Sequence, residues 1–165
     1  MQLNDTKKSP VLEGYLKAER LTESGSWELF DEQNLVLDQA TETLRNLMFG
    51  DAAQAITRIK FGDMNLDPAV DNVSTVAAPS VTDTTLVNEV FEKVATSTKV
   101  VYSGSPAIQY EVILDANEFN GTGSQLITEY ALANASNVIF TRKTRAAIFK
   151  DAESTLRFTW TLVFN

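Results

Sequence analysis

Leu156, Phe158, Trp160, Leu162 and Phe164 alternate strictly with Arg157, Thr159, Thr161, Val163 and Asn165 over the last ten residues of the chain. Side chains on a strand point to opposite faces with a period of two, so this pattern predicts an amphipathic β-strand with a large apolar load on one face. A chain that ends on its most hydrophobic strand is expected to insert that strand into a sheet, since a loose end would expose a row of large apolar groups. Ile108, Tyr110, Val112 and Leu114 repeat the alternation. Ile59 and Phe61, set against Arg58 and Lys60, predict another strand over residues 55–61. Residues 14–21 and 26–35 read as two strands around the turn sequence Thr22-Glu23-Ser24-Gly25. The first of these is also compatible with a short helix, whereas Trp27 and Phe30 favour strand for the second. Further strands are expected at 86–95, 99–102, 126–132 and 138–142, with turns at Asn120-Gly121 and Asp151-Ala152-Glu153-Ser154.

One segment has the other period. Leu37, Ala40, Leu44, Leu47 and Met48 fall on one stripe at helical spacing, which predicts a short helix near residues 38–49. Asp38 is placed to cap its start and Gly50 to take the left-handed position after its end. Its narrow apolar face is expected to pack across the end or one face of a sheet. Residues 62–85 are rich in Asp, Asn, Pro, Ser and Thr and read as a long surface loop. Residues 1–12 read as an extended arm and residues 13–165 as one domain. The fold class expected is mainly β: an antiparallel β-sandwich, jelly-roll-like or barrel-like, with one short α-helix. Heptads and short-period repeats are absent, so no coiled-coil or solenoid shaft is expected.

Composition removes several functions. The 165 residues are enough for a proper core, and 44 % hydrophobic with 22 % charged is ordinary for a soluble globular protein. A net charge of −8 argues against duplex nucleic acid as partner. There is no cysteine and no histidine, which removes disulfides, thiolate chemistry, the commonest general base and the commonest transition-metal ligand. The first ten residues lack a signal-peptide core, and no apolar run approaches a membrane span. A soluble protein folded in a cytoplasm is expected, without membrane or nucleic-acid partners.

The remaining candidate chemistry is thin. Asp63, Asn65 and Asp67 have the spacing that opens a calcium loop, but Pro68 stands where glycine is needed and Ser74 where a bidentate Glu should close the site. An Asx-rich turn is the better reading. Arg142, Lys143, Arg145 and Lys150 form a small basic cluster, read as a solvated strand edge ahead of a complementary contact to an acidic neighbour. Trp27 and Trp160 are candidate sugar-stacking platforms, with Trp160 expected in the core instead. The 22 acidic residues leave a carboxylate pair possible by number, yet none has a distinctive context. Accordingly no catalytic, cofactor-binding or metal-ligating residue is assigned, and neither an enzyme nor a cofactor is expected.

The order of segments carries a resemblance. SWELFDEQNLVLDQATETLRNLMFGD at 26–51 and ITRIKFGD at 56–63 are followed by DTTLVNEVFEKV, ILDANEFNG, LITEYALANASNVIFTRK and IFKDAESTLRFTWTLVF. Over residues 13–165 this succession resembles tailed-bacteriophage virion structural proteins of the tail-fibre and baseplate-associated type. Asp63 departs from the pattern, since a Gly-Thr-Gly run often follows that strand. The resemblance implies a virion building block: a ring or adaptor of the tail, neck or baseplate, a homo-oligomer contacting other virion proteins. The arm and the 62–85 loop are the expected contact elements. A capsid decoration protein and a carbohydrate-binding module are the competing readings.

Overall fold

The computed structural model describes residues 12–32, 35–36, 39–51, 55–120 and 124–164. Ten strands and one helix follow in order: β1 (Leu12–Leu21), β2 (Trp27–Glu32), β3 (Leu35–Val36), α1 (Gln39–Met48), β4 (Ile56–Gly62), β5 (Glu89–Val94), β6 (Thr96–Tyr102), β7 (Ser105–Leu114), β8 (Ser124–Asn134), β9 (Ile139–Asp151) and β10 (Leu156–Phe164). They form two five-stranded antiparallel sheets, ordered β2-β1-β10-β7-β6 and β3-β9-β8-β4-β5. The mainly β, two-sheet architecture with a short helix is thus as the alternation predicts.

The last strand is the centre of the first sheet. β10 lies between β1 and β7, with Trp160 opposite Leu16 on one side and Tyr110 on the other. Leu156, Phe158, Trp160 and Leu162 are buried in the main core together with Ile59, Phe61, Ile127, Tyr130 and Phe140 of the second sheet. Phe61 meets Phe158 edge-on at 4.9 Å and Tyr130 edge-on at 6.1 Å, so one aromatic cluster bonds the two sheets. Each fully buried side chain of this size contributes about 1.5–3 kcal/mol, and each favourable ring pair about 0.5–1.5 kcal/mol beyond that.

Several boundaries differ from expectation. Residues 14–21 are strand, not helix, and β1 already begins at Leu12, inside the expected arm. Residues 1–11 lie outside the described residues, as do Leu37, Asp38 and Gly121. The single strand expected over 26–35 is two: β2 stays beside β1, while Leu35–Val36 crosses to pair with β9. Gln33 and Asn34, between the two, lie outside the described residues. β5 starts at Glu89 and β6 follows directly after Ala95, so the chain passes from the edge of one sheet to the edge of the other. Ser103 and Gly104 both have positive φ, the geometry of a two-residue hairpin, which lengthens β7 back to Ser105. At the helix, Ala40 and Leu44 face the core as predicted, but Met48, counted in the same stripe, is exposed.

Candidate functional site

The long segment between β4 and β5 is held to the second sheet by buried charge. β4 ends at Gly62, whose partner across the ladder is Glu129 of β8. A Cβ at Gly62 would lie 2.5 Å from Glu129 Oε1 and 2.5 Å from the Asn88 carbonyl oxygen, so only glycine leaves the carboxylate room. Glu129 is fully buried and accepts hydrogen bonds from the backbone amides of Val87 (3.2 Å) and Asn88 (3.0 Å). It also accepts from Arg142 Nε (3.2 Å) and Nη2 (2.6 Å), while Arg142 Nη1 reaches Asp83. A carboxylate stripped of water is tolerated when charged and amide donors replace that water, as they do here. Thr144 donates to the Ala77 carbonyl (2.7 Å), the Ala147 amide donates to that of Val73 (2.8 Å), and Leu86 packs on Ala131, Ala133 and Ile139. The segment is therefore folded onto the sheet.

A second buried cation has its own partners. Buried Lys60 donates to Glu89 Oε2 (2.6 Å) and Asn137 Oδ1 (2.8 Å) and lies 3.5 Å from Glu92. Arg58 pairs with Glu92, and that hydrogen bond holds the Glu92 carboxyl below the usual carboxylate range. On β5, Lys93 donates to the Ile113 carbonyl (2.7 Å) and to Glu118, which lowers the Glu118 carboxyl likewise. These pairs tie an edge strand to both sheets.

The predicted residues fall differently. Asp63 Oδ1 accepts from the Asn65 amide (2.9 Å) and the Asn88 side chain (2.7 Å), and Asp67 Oδ1 accepts from the Ala69 amide (2.9 Å). Each aspartate accepts from the amide two residues on, so this is a pair of Asx turns, with Met64 and Asn65 at positive φ. Among the described residues no cluster of three or more acidic groups is placed to share a metal ion. The basic cluster does not form a solvated edge, because two of its members are inside. Arg142 belongs to the Glu129 network. Lys150 is buried with its ammonium on the Asp151 carbonyl (2.7 Å), and burial pushes its pKa down. Arg145 donates to the Ala146 carbonyl (2.8 Å). Trp160 is fully buried in the core, and the Arg157 guanidinium lies over the ring of Trp27 at 4.2 Å. Arg157 is itself held by Glu19 (2.7 Å).

Two features on the surface had no sequence signal. Met48 and Phe49, at the end of α1, are 89 % and 86 % exposed. A groove of about 340 Å³ is walled by Leu47, Ile56, Ile108 and Tyr110, with Thr98 and Lys99 of edge strand β6 along it. Across the loop segment, Val70, Val81 and Val87 are exposed as well. Among the described residues no helix is long and apolar enough to cross a membrane. No protein-family model, curated protein or solved structure matches this chain.

Proposed function

We propose that this chain is a structural protein of a tailed-bacteriophage virion, a ring or adaptor component of the tail, neck or baseplate that works through protein–protein contacts. The observation that carries the reading is the 63–88 segment. It is long and polar, yet its base is fixed by buried Arg142 and Glu129 while Val70, Val81 and Val87 are exposed. A surface ordered before it meets its partner loses little entropy on docking, which suits a part that must assemble in one register. The ordered resemblance of residues 13–165 to virion structural proteins supports the same reading. Sugar stacking has weaker support, since Trp160 is in the core and Arg157 covers one face of Trp27.

Imaging intact particles carrying the labelled protein tests this directly, with density expected around the tail, neck or baseplate. Label on tail-less heads would instead identify a capsid decoration protein. Absence from purified particles would overturn the virion reading altogether. Glycan-array binding that disappears in Trp27→Ala would move the function to carbohydrate recognition.

A further inference from the structure

We propose that Lys60 and Asn137 form an isopeptide bond within the folded chain, a covalent tie between β4 and the turn from β8 to β9. Lys60 lies in β4 between Glu92 of β5 and Ala131 of β8. Its side chain is 5 % exposed, yet three oxygen acceptors converge on the ammonium. Glu89 Oε2 accepts from Nζ at 2.6 Å, Asn137 Oδ1 accepts at 2.8 Å, and Glu92 stands at 3.5 Å. The two carboxylates are enough to balance the ammonium, so the carboxamide beside it is not there for charge. Its carbon is one C=O bond of about 1.23 Å beyond Oδ1, hence at most about 4 Å from Nζ. A small side-chain rotation brings the pair to the roughly 3–3.5 Å from which bond formation starts. The carboxamide is also fixed. Asn137, at φ +66°, takes a left-handed position in the turn, and its amide donates to the Asn134 carbonyl (3.2 Å). Buried Asn134 in turn accepts on Oδ1 from the amides of Ser136 and Val138, each at 2.9 Å.

The chemistry closes without any further reagent. Glu89 takes one proton from the Lys60 ammonium, and the freed Nζ lone pair adds to the Asn137 carbonyl carbon. A second proton passes from Nζ to Nδ2 through the same carboxyl group. The Cγ–Nδ2 bond then breaks, the carbonyl re-forms as a secondary amide, and ammonia leaves with the proton that Glu89 first took. Nothing is oxidised or reduced. Glu92 is engaged by Arg58, so Glu89, the nearer carboxylate, is the proton carrier. Burial strips the amine of hydration, and fixed placement makes the addition intramolecular. The product joins residues 77 apart in sequence. Such a closure removes conformations from the unfolded chain and none from the folded one. The bond belongs to the single chain, so it goes beyond the virion reading and survives that reading's failure.

Intact mass of the purified full chain under denaturing conditions tests this. The expected mass is one ammonia below that of the sequence, with or without Met1. Proteolysis should release a branched peptide that joins the Lys60 and Asn137 segments. Lys60→Arg should restore the full mass and abolish the branched peptide. Asn137→Gly should do the same, glycine being chosen because it keeps the left-handed turn. Glu89→Gln retains a hydrogen-bond acceptor but not the proton carrier, so linkage should slow at least about 100-fold. A native chain at its full sequence mass with no branched peptide overturns the proposal. So does an ammonia deficit that survives Lys60→Arg, which would place the loss elsewhere in the chain. A deficit of one water would mean a link from Lys60 to a carboxylate and would overturn the assignment to Asn137. Linkage at the native rate in Glu89→Gln would overturn the role given to Glu89.

Discussion

Gly62 has an ordinary backbone, and its role follows from what stands beside it. Any side chain there meets the Asn88 carbonyl and Glu129 at 2.5 Å. Gly62→Ala is expected to cost about 1–3 kcal/mol through forced repacking, read as a lower midpoint in urea denaturation. Arg142→Met leaves Glu129 buried without its cation and should cost about 3–5 kcal/mol. Hydrogen exchange at the Val87 and Asn88 amides, which Glu129 accepts, should rise in the same variant. None of this was legible along the chain. Arg142 stands in sequence next to Lys143 and Arg145, whereas its partners are 13 and 59 residues away. A charge's burial is decided by what folds over it.

Four carboxylates set the response to acid. Burial raises the Glu19 pKa, but hydrogen bonds from Lys17 and Arg157 outweigh it and hold the group low. Glu92 is lowered by Arg58, Glu118 by Lys93, and Asp151 by Ser154. A group whose pKa is lower folded than unfolded stabilises the fold above its unfolded value and loses that contribution as pH falls through the folded one. The melting temperature should therefore be level above about pH 5 and drop below about pH 4. Glu92→Gln should flatten part of that drop. A melting temperature that holds steady to lower pH would count against these assignments.

Among elements, β10 decides whether there is a fold at all. It pairs with β1 and β7 along its length and supplies Trp160, the largest of the fully buried side chains. Deleting residues 160–165 removes several such side chains, against a usual domain stability of about 5–15 kcal/mol. Insoluble protein is expected, and a soluble truncation with a cooperative melt would refute this. β10 was readable because one face is apolar and the period is two. β9 was not: its second half, Lys143 to Asp151, mixes charge and apolar groups around a register shift with β8. α1 was legible as a helix but only partly as a packing surface. Spacing put Met48 on the stripe, but the sequence does not say that what packs on α1 ends before Met48.

For the whole molecule, β1 starts at Leu12, so deleting residues 1–10 leaves every described strand intact. The shortened protein is expected to fold and melt normally yet incorporate poorly into particles, as measured by its copy number in purified virions. Normal incorporation would remove the arm from the assembly contacts. Two-sheet architecture was open to reading because strand periodicity is local. A surface groove such as the one walled by Leu47, Ile56, Ile108 and Tyr110 was not, since it is made of residues brought together only by the fold.

The pairing of the first strand with the last has a mechanical consequence. β1 and β10 run antiparallel with Leu12 opposite Phe164, so both strands offer their outer ends at the same place. Tension applied through those ends opens the ladder one bond at a time, as a zipper, instead of loading all its bonds together in shear. The isolated protein should yield at low force when pulled by its ends and resist far more when pulled across the Ser24 and Ser103 turns.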